Sequence, residues 1–415
     1  MRAIDLSPVP PDEQSQRPFD LFLIFVGANI VATTLQVGAS LPPSFGLRAA
    51  MGVIAVGALT GAGLVASLAP IGVRLRVPSI VAARAALGFS GARALAALLF
   101  VTNFAWIALN NVIAASIVAR LAGIGSPGAW AALLGLLATV IVLGGPRIAA
   151  LVDRVAVPIL LVSGGVFTAA CLRVTWPPWS TGPVPLGDLV RGLDVVAGYQ
   201  ITWLLMFADY PRFVPSARGA ARVFFGLALT ALWFMPLGLV ASAAARSSNP
   251  GAMAQTLGLG WWGALLLTLA TLTTNFVNIY MSALAFRSLR PATGDARTIW
   301  LVGGVGAALG LLSDRWLDQF ANLTLVVAGV LVPVGGILLA HYFVLRSDVD
   351  VAGLYEDATA RSSRRGWPLP GTAAWIVGAV VYYAGQSIGG TLSSLVATVV
   401  TYVALSRRRG CENRL

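Results

Sequence analysis

One histidine, His341, and two cysteines, Cys171 and Cys411, are all this chain offers of the side chains that most readily ligate metals or attack electrophiles. Neither cysteine has metal-ligand spacing to the histidine. The 16 acidic residues fall nearly all in polar stretches or at the ends of apolar runs, and none is expected at the middle of one. Acid–base and nucleophilic catalysis therefore lack their parts. What the apolar runs do contain is amides and hydroxyls, gathered in four segments. GANIVATTLQVGAS carries Gly27, Asn29, Thr33, Thr34, Gln36 and Gly38, and TNFAWIALNN carries Asn103, Trp106, Asn110 and Asn111. AGYQITWLLMFADYPRF carries Gly198, Tyr199, Gln200, Thr202 and Trp203. TLTTNFVNIYMS carries Thr271, Thr273, Thr274, Asn275, Asn278 and Tyr280. Amides beside aromatic rings can bond the edge of a planar ligand while a ring covers its face. Hydroxyls and freed carbonyls can ligate a hard cation.

Each of these residues also has a plainer role. A threonine in an apolar helix often bonds its own preceding turn, and small residues often only pack helices. Trp106 alone serves equally as a packing residue or an interfacial anchor. Several amides deep in apolar runs are harder to absorb this way. Each unpaired amide in hydrocarbon costs several kcal/mol, so each needs a partner, a water or a ligand.

The elements that must position these groups are membrane helices. Charged residues make up 11% of the chain and apolar ones 57%, whereas a soluble chain carries about a quarter charged residues. The polar surface is too small to cover a water-soluble globule. Apolar runs long enough to cross a bilayer as helix lie near 20–40, 47–71, 95–119, 128–145, 151–173, 189–208, 221–245, 258–285, 298–313, 318–345, 371–387 and 389–406. The less apolar segment 77–92 is expected at the membrane interface. A polar tail, 1–19, precedes a transporter-like domain over 20–406, and 407–415 form a second tail.

All 28 basic residues are arginine, in short clusters between the runs. With twelve spans, only Arg48, Arg120, Arg173, Arg191, Arg246 and Arg315 fall on one side, and the other 22 on the opposite side with both termini. That asymmetry predicts cytoplasmic termini and a multi-pass protein of the cell's inner (plasma) membrane. The net charge of +12 is thus loop marking and not a nucleic-acid surface, since no basic segment interleaves with aromatics on a soluble domain. No obligate protein partner is indicated. Spans one and six each have a mid-run glycine with polar neighbours, the pattern of broken helices in corresponding positions of two inverted repeats. The absence of an expected deep carboxylate favours a coupling ion held by hydroxyls and carbonyls, or no coupling.

At these residues the chain resembles the nucleobase–cation symporter-1 family, in particular the bacterial cytosine and hydroxymethylpyrimidine permeases. The resemblance runs in order through VGANIVATTLQVGAS, IGVRLRVPSIVAARAALGFSGA, NFAWIAL, ADYPRF, TTN and VPVGGILLAHYFVLR. It implies an all-α fold of five-plus-five inverted repeats with two extra C-terminal helices. Repeat one then covers about 20–173, repeat two about 189–345 and the extra helices about 371–406. It also implies sodium as coupling ion and no other cofactor. The sodium ligands carried over are the carbonyls of Gly27, Ile30 and Ala270 and the hydroxyls of Thr273 and Thr274.

By the same resemblance Trp106 stacks on the substrate ring, with Asn103, Gln36, Tyr199, Gln200, Thr202, Trp203 and Asn278 around it. The sequence departs from the cytosine permeases at Gln200, where they carry an aromatic. The second wall of the ring sandwich is then missing or supplied by Tyr199 or Trp203. Trp203 six residues before Asp209 looks more like the hydroxymethylpyrimidine permeases. Those tend to carry an acid where this chain has neutral Asn278, which favours a neutral pyrimidine over a cation such as thiamine. The expected activity is sodium-driven import of such a ring. The alternatives are a proton-coupled or uncoupled carrier of another nucleobase-like ring (a purine, a hydantoin, a thiamine precursor), and a channel or membrane scaffold. A channel would more often show a ring of pore-lining charge.

Overall fold

The computed structural model describes residues 6–41, 45–144, 146–179, 182–290, 293–312, 318–355 and 366–412. Of the arginines that orient the chain, Arg2, Arg315, Arg361, Arg364, Arg365 and Arg414 lie outside them. A chain this apolar has to close its backbone hydrogen bonds within each segment, and the described residues are helical, with no strand among them. The helices are α1 (Pro18–Asn29), α2 (Ala32–Ala39), α3 (Leu47–Leu75), α4 (Ser79–Ala122), α5 (Pro127–Leu143), α6 (Pro146–Cys171) and α7 (Leu186–Ile201). They continue as α8 (Ala217–Ala220), α9 (Arg222–Ala245), α10 (Pro250–Thr256), α11 (Gly260–Leu289) and α12 (Asp295–Gly310). The last three are α13 (Phe320–Leu339), α14 (Leu369–Ala384) and α15 (Gly390–Glu412). Among the described residues five helices are individually long and apolar enough to cross a bilayer, and the bent pair α1–α2 makes a sixth.

The first span is broken. α1 and α2 meet at 58°, with Ile30 and an extended Val31 between them. Side chains take up what the break frees. The Thr34 hydroxyl donates to the Asn29 carbonyl at 2.8 Å, and the Asn29 amide donates to Leu227 O and Thr230 Oγ1, both at 3.0 Å. The sixth span changes character too. α7 stops at Ile201, tightens into a 3-10 turn over Thr202–Met206, and turns through Asp209 into Pro211–Phe213. The glycines expected at the breaks, Gly27 and Gly198, both lie inside regular helix, each three to four residues before its break.

Close packing fixes the broken pieces. α2 lies on α9 through two reciprocal glycines. A Cβ at Gly38 would sit 1.8 Å from Met235 O, and one at Gly238 would sit 1.9 Å from Leu35 O. α3 approaches α7 in the same way, with Gly57 against Val196 and Gly61 against Ala197 and Gln200.

Two expectations need refining. Segment 77–92 is packed into the protein: Val77, Ile80, Val81, Ala82, Ala83, Ala86 and Leu87 are buried in the main core. It forms the first part of α4, bent at Gly88 with φ +68°. Its polar groups are satisfied inside, Ser79 donating to Asp209 Oδ2 and Arg84 to Leu354 O. Nor are all acids at span ends. Asp194 is buried in the middle of α7, where its carboxylate accepts from Gly390 N at 2.7 Å and Thr391 N at 2.9 Å and so caps α15.

The N-terminal stretch is packed rather than free over the residues described. Val9 N donates to Arg76 O, Gln16 N to Phe213 O, and the Gln14 amide to Val73 O and Arg212 O.

Candidate functional site

Where the two broken spans face α4 and α11, a small cavity of about 40 Å³ opens. It is lined by Thr33, Asn103, Trp106, Asn110, Tyr199, Thr202, Trp203, Leu205, Met206, Thr274, Asn278 and Met281. No charged side chain is among them. Six of the expected substrate residues therefore stand around one space: Trp106, Asn103, Tyr199, Thr202, Trp203 and Asn278. Two do not line it. Gln36 is buried in α2, and Gln200 turns its amide to Leu227 O at 3.2 Å on α9.

The ring residues form a cluster. Trp106 stands edge-on to Tyr199, centroids 6.2 Å apart, and to Phe320 at 6.1 Å; Tyr199 and Phe320 are 6.3 Å apart. Phe320, at the start of α13, was not anticipated. Nothing in its local sequence marks it, because it reaches the cluster only through the chain's three-dimensional path. The Tyr199 hydroxyl is 2.9 Å from both Thr33 Oγ1 and Thr34 Oγ1, so the sixth span is tied to the restart of the first.

The polar residues come mostly from α4 and α11. Asn110 Nδ2 donates to Asn275 Oδ1 at 3.3 Å, Asn275 Nδ2 to Asn111 Oδ1 at 2.7 Å, and Thr271 Oγ1 to Asn110 O at 2.9 Å. Asn103 Nδ2 makes a long bond, 3.4 Å, to Asn278 O. This ladder leaves some atoms unmatched: Asn110 Oδ1 and Trp203 Nε1 are buried with no hydrogen-bond partner among the described residues. Both residues line the cavity. One acceptor and one donor of cavity-lining residues are thus left unpaired, each costing on the order of 1–3 kcal/mol until something bonds it. Asn110 was recognisable. It stands four residues after Trp106, as Asn103 stands three before, so all three share a helical face.

The expected cation ligands are seen in two groups. Thr273 Oγ1 donates to Ala270 O at 3.1 Å and to Leu269 O at 3.0 Å, and Thr274 Oγ1 donates to Ala270 O at 2.7 Å. This is the back-bonding usual for threonine in membrane helices. It also gathers three hard oxygen donors at one turn of α11. Gly27 falls among the last carbonyls of α1, which an ended helix leaves without intrahelical partners, and Ile30 lies in the break itself. Thr274 also lines the cavity, so the hydroxyl pair adjoins it. Among the described residues no three His, Cys, Asp or Glu side chains gather into a metal-binding group.

Comparison with known proteins agrees with this arrangement. Residues 8–406 match the family model for permeases for cytosine/purines, uracil, thiamine and allantoin. The chain is 26% identical to the putative purine-cytosine permease YxlA of Bacillus subtilis, over 98% of this chain and 97% of that one. Its fold matches Mhp1, a nucleobase-cation-symport-1 family transporter. In the closed form with bromovinylhydantoin bound the TM-score is 0.81 at 18% identity, covering 97% of this chain and 94% of Mhp1. In the inward-facing form it is 0.82 at 19% identity, covering 99% and 95%. A broken first span, a cavity of amides and rings, and a match over almost the whole length lead to one assignment: the chain belongs to the nucleobase–cation symporter-1 family of membrane transporters.

Proposed function

We propose that this transporter imports a neutral, nucleobase-like pyrimidine, of the hydroxymethylpyrimidine or cytosine kind, driven by sodium. The observation that carries the reading is the unpaired donor and acceptor, Trp203 Nε1 and Asn110 Oδ1, beside Trp106 in an uncharged cavity. A pyrimidine edge presents a donor and an acceptor a few ångströms apart, and its face needs an aromatic wall. A charged ring would leave its charge without a counter-charge among the lining residues, at high cost in a low-dielectric site.

The cavity in this state has room for only a few waters. A ring enters by separating the Trp106–Tyr199–Phe320 cluster. Phe320 then withdraws from Trp106, whose face becomes the stacking wall, and Tyr199 supplies the side that an aromatic at position 200 provides in the cytosine permeases. Sodium fits the donor set of Ala270, Thr273 and Thr274 completed by Gly27 and Ile30. All are oxygens, as a hard cation prefers. Because Thr274 borders both sites, ion binding can order the wall that the ring uses. The purine-cytosine name of the Bacillus relative supports a second reading, in which the substrate is a purine.

Competition binding separates these readings. With one labelled pyrimidine bound to the purified protein in sodium, unlabelled neutral pyrimidines should displace it and cationic thiamine should not. Displacement by purines at concentrations well below those any pyrimidine needs selects the second reading. Displacement by thiamine as good as by the pyrimidines contradicts the neutral-ring assignment.

A further inference from the structure

A second and much larger opening shares no residue with the transport cavity. It is a groove of about 460 Å³ between the first turns of α3, the segment before α7, and the first turns of α7. Its walls are apolar, with Val53 and Val56 from α3 and Leu189 and Leu193 from α7. Gly52 keeps it open. A Cβ there would meet nothing within 4 Å, whereas Gly57 and Gly61, further along the same helix, are pressed against α7. A glycine inside a helix costs stability. At Gly57 and Gly61 close packing offsets that cost; at Gly52 no contact does, and the space left is the groove.

One end of the groove is charged. Arg48 lines it and is exposed, one of the six arginines assigned to the outer side. Its backbone N–H donates to Trp179 O at 3.0 Å, and Trp179, itself 64% exposed, stands at the rim. The ion pairs among the described residues are Arg74–Asp348 and Arg287–Asp295. Neither pair involves Arg48, and no acid is among the residues that line the groove. From Arg48 to Val56 is eight helical residues, about 12 Å along the axis. An exposed cation, a rim tryptophan and a 12 Å apolar trough beneath them match an amphiphile in charge and in length.

We propose that this groove is a binding site for an anionic phospholipid of the outer leaflet, its phosphate on Arg48 and one acyl chain along Val53, Val56, Leu189 and Leu193. The site bears on the transporter's moving parts. Val53 also packs against Gly192 of α7, so a chain in the groove presses on the α3–α7 seam that carries Tyr199 two turns deeper. Occupancy therefore sets how the sixth span seats against the second.

Native mass spectrometry of the detergent-purified protein, incubated with phosphatidylglycerol or phosphatidylcholine, tests this. The wild type should retain phosphatidylglycerol in preference to phosphatidylcholine. Arg48→Gln should lower that retention on the order of fivefold, the scale of one arginine at an anionic surface. Gly52→Leu, whose Cβ would meet nothing within 4 Å and whose longer side chain occupies the groove, should lower it as much while the lipid-free melting temperature does not fall below the wild-type value. Should Gly52→Leu fail to fold, Val56→Trp blocks the same trough from an exposed position. Inorganic phosphate at matched concentration should leave retention unchanged, because the chain supplies most of the contact. Equal retention of the two lipids, unchanged retention in Arg48→Gln or in the folded filling variant, or displacement by phosphate alone would each overturn the proposal.

Discussion

Trp106 and Asn110 show what single residues contribute. If Trp106 is the stacking wall, Trp106→Ala should abolish ring binding and Trp106→Phe should keep part of it, weaker by about tenfold, since stacking adds on the order of 1 kcal/mol beyond burial. Asn110→Ala separates ligand from structural roles. If the substrate bonds Asn110 Oδ1, affinity should fall on the order of tenfold. If that oxygen is only a buried orphan, affinity should stay at the wild-type value while the melting temperature falls, because the Nδ2 bond to Asn275 is lost. Both variants are to be read by equilibrium binding and by thermal unfolding together. Much of this site could be read from sequence, because Asn103, Trp106 and Asn110 share one helical face and deep amides are costly enough to signal themselves. Phe320 could not, since a phenylalanine opening an apolar helix is unremarkable until the fold brings it 6.1 Å from Trp106. Gln200 stays off the cavity lining for a related reason. Its place in the segment suggested the cavity, but the rotation of α7 directs its amide to α9.

At the scale of elements, the fold depends on helices that come closer than side chains allow. α2 is eight residues long, too short to be stable by itself, and it stays helical because α9 holds it through Gly38 and Gly238. Gly238→Ala places a methyl where Leu35 O stands 1.9 Å away, so α2 has to shift. Overpacking costs about 1–3 kcal/mol where the structure can give, and here the obstacle is backbone. The variant should therefore lose ring binding and melt lower, whereas Gly63→Ala on α3, whose Cβ would meet nothing within 4 Å, should change neither. Equal behaviour of the two would contradict the tight α2–α9 contact. Broken spans were legible as a pattern of glycines with polar neighbours, but their positions were not. At the first break, Ile30–Val31, the Thr34 hydroxyl satisfies the freed Asn29 carbonyl and the Asn29 side chain anchors to α9, partners that lie across the break and on another helix. The packing of segment 77–92 was hidden on the same grounds. Its low apolarity suggests an interface, but Asp209 and Leu354 O pair its polar groups inside the protein.

The whole molecule is an inverted-repeat transporter whose direction in the membrane rests on its arginines. In a background without Cys171 and Cys411, Arg246→Cys should react with an impermeant maleimide only from outside the cell, and Arg218→Cys only from the cytoplasmic side. Both positions are exposed, and the reverse pattern would overturn the orientation. The central claim is that sodium and a neutral ring share one transport cycle through the Thr273–Thr274 turn and the Trp106 cavity. The most direct measurement is uptake of a labelled pyrimidine into proteoliposomes with an imposed inward sodium gradient. The account predicts accumulation that disappears when sodium is equal on both sides, and a higher sodium requirement in Thr273→Ala and Thr274→Ala, each of which removes one cation ligand. Uptake that ignores the sodium gradient, or is driven by a proton gradient alone with both variants unchanged, would contradict it.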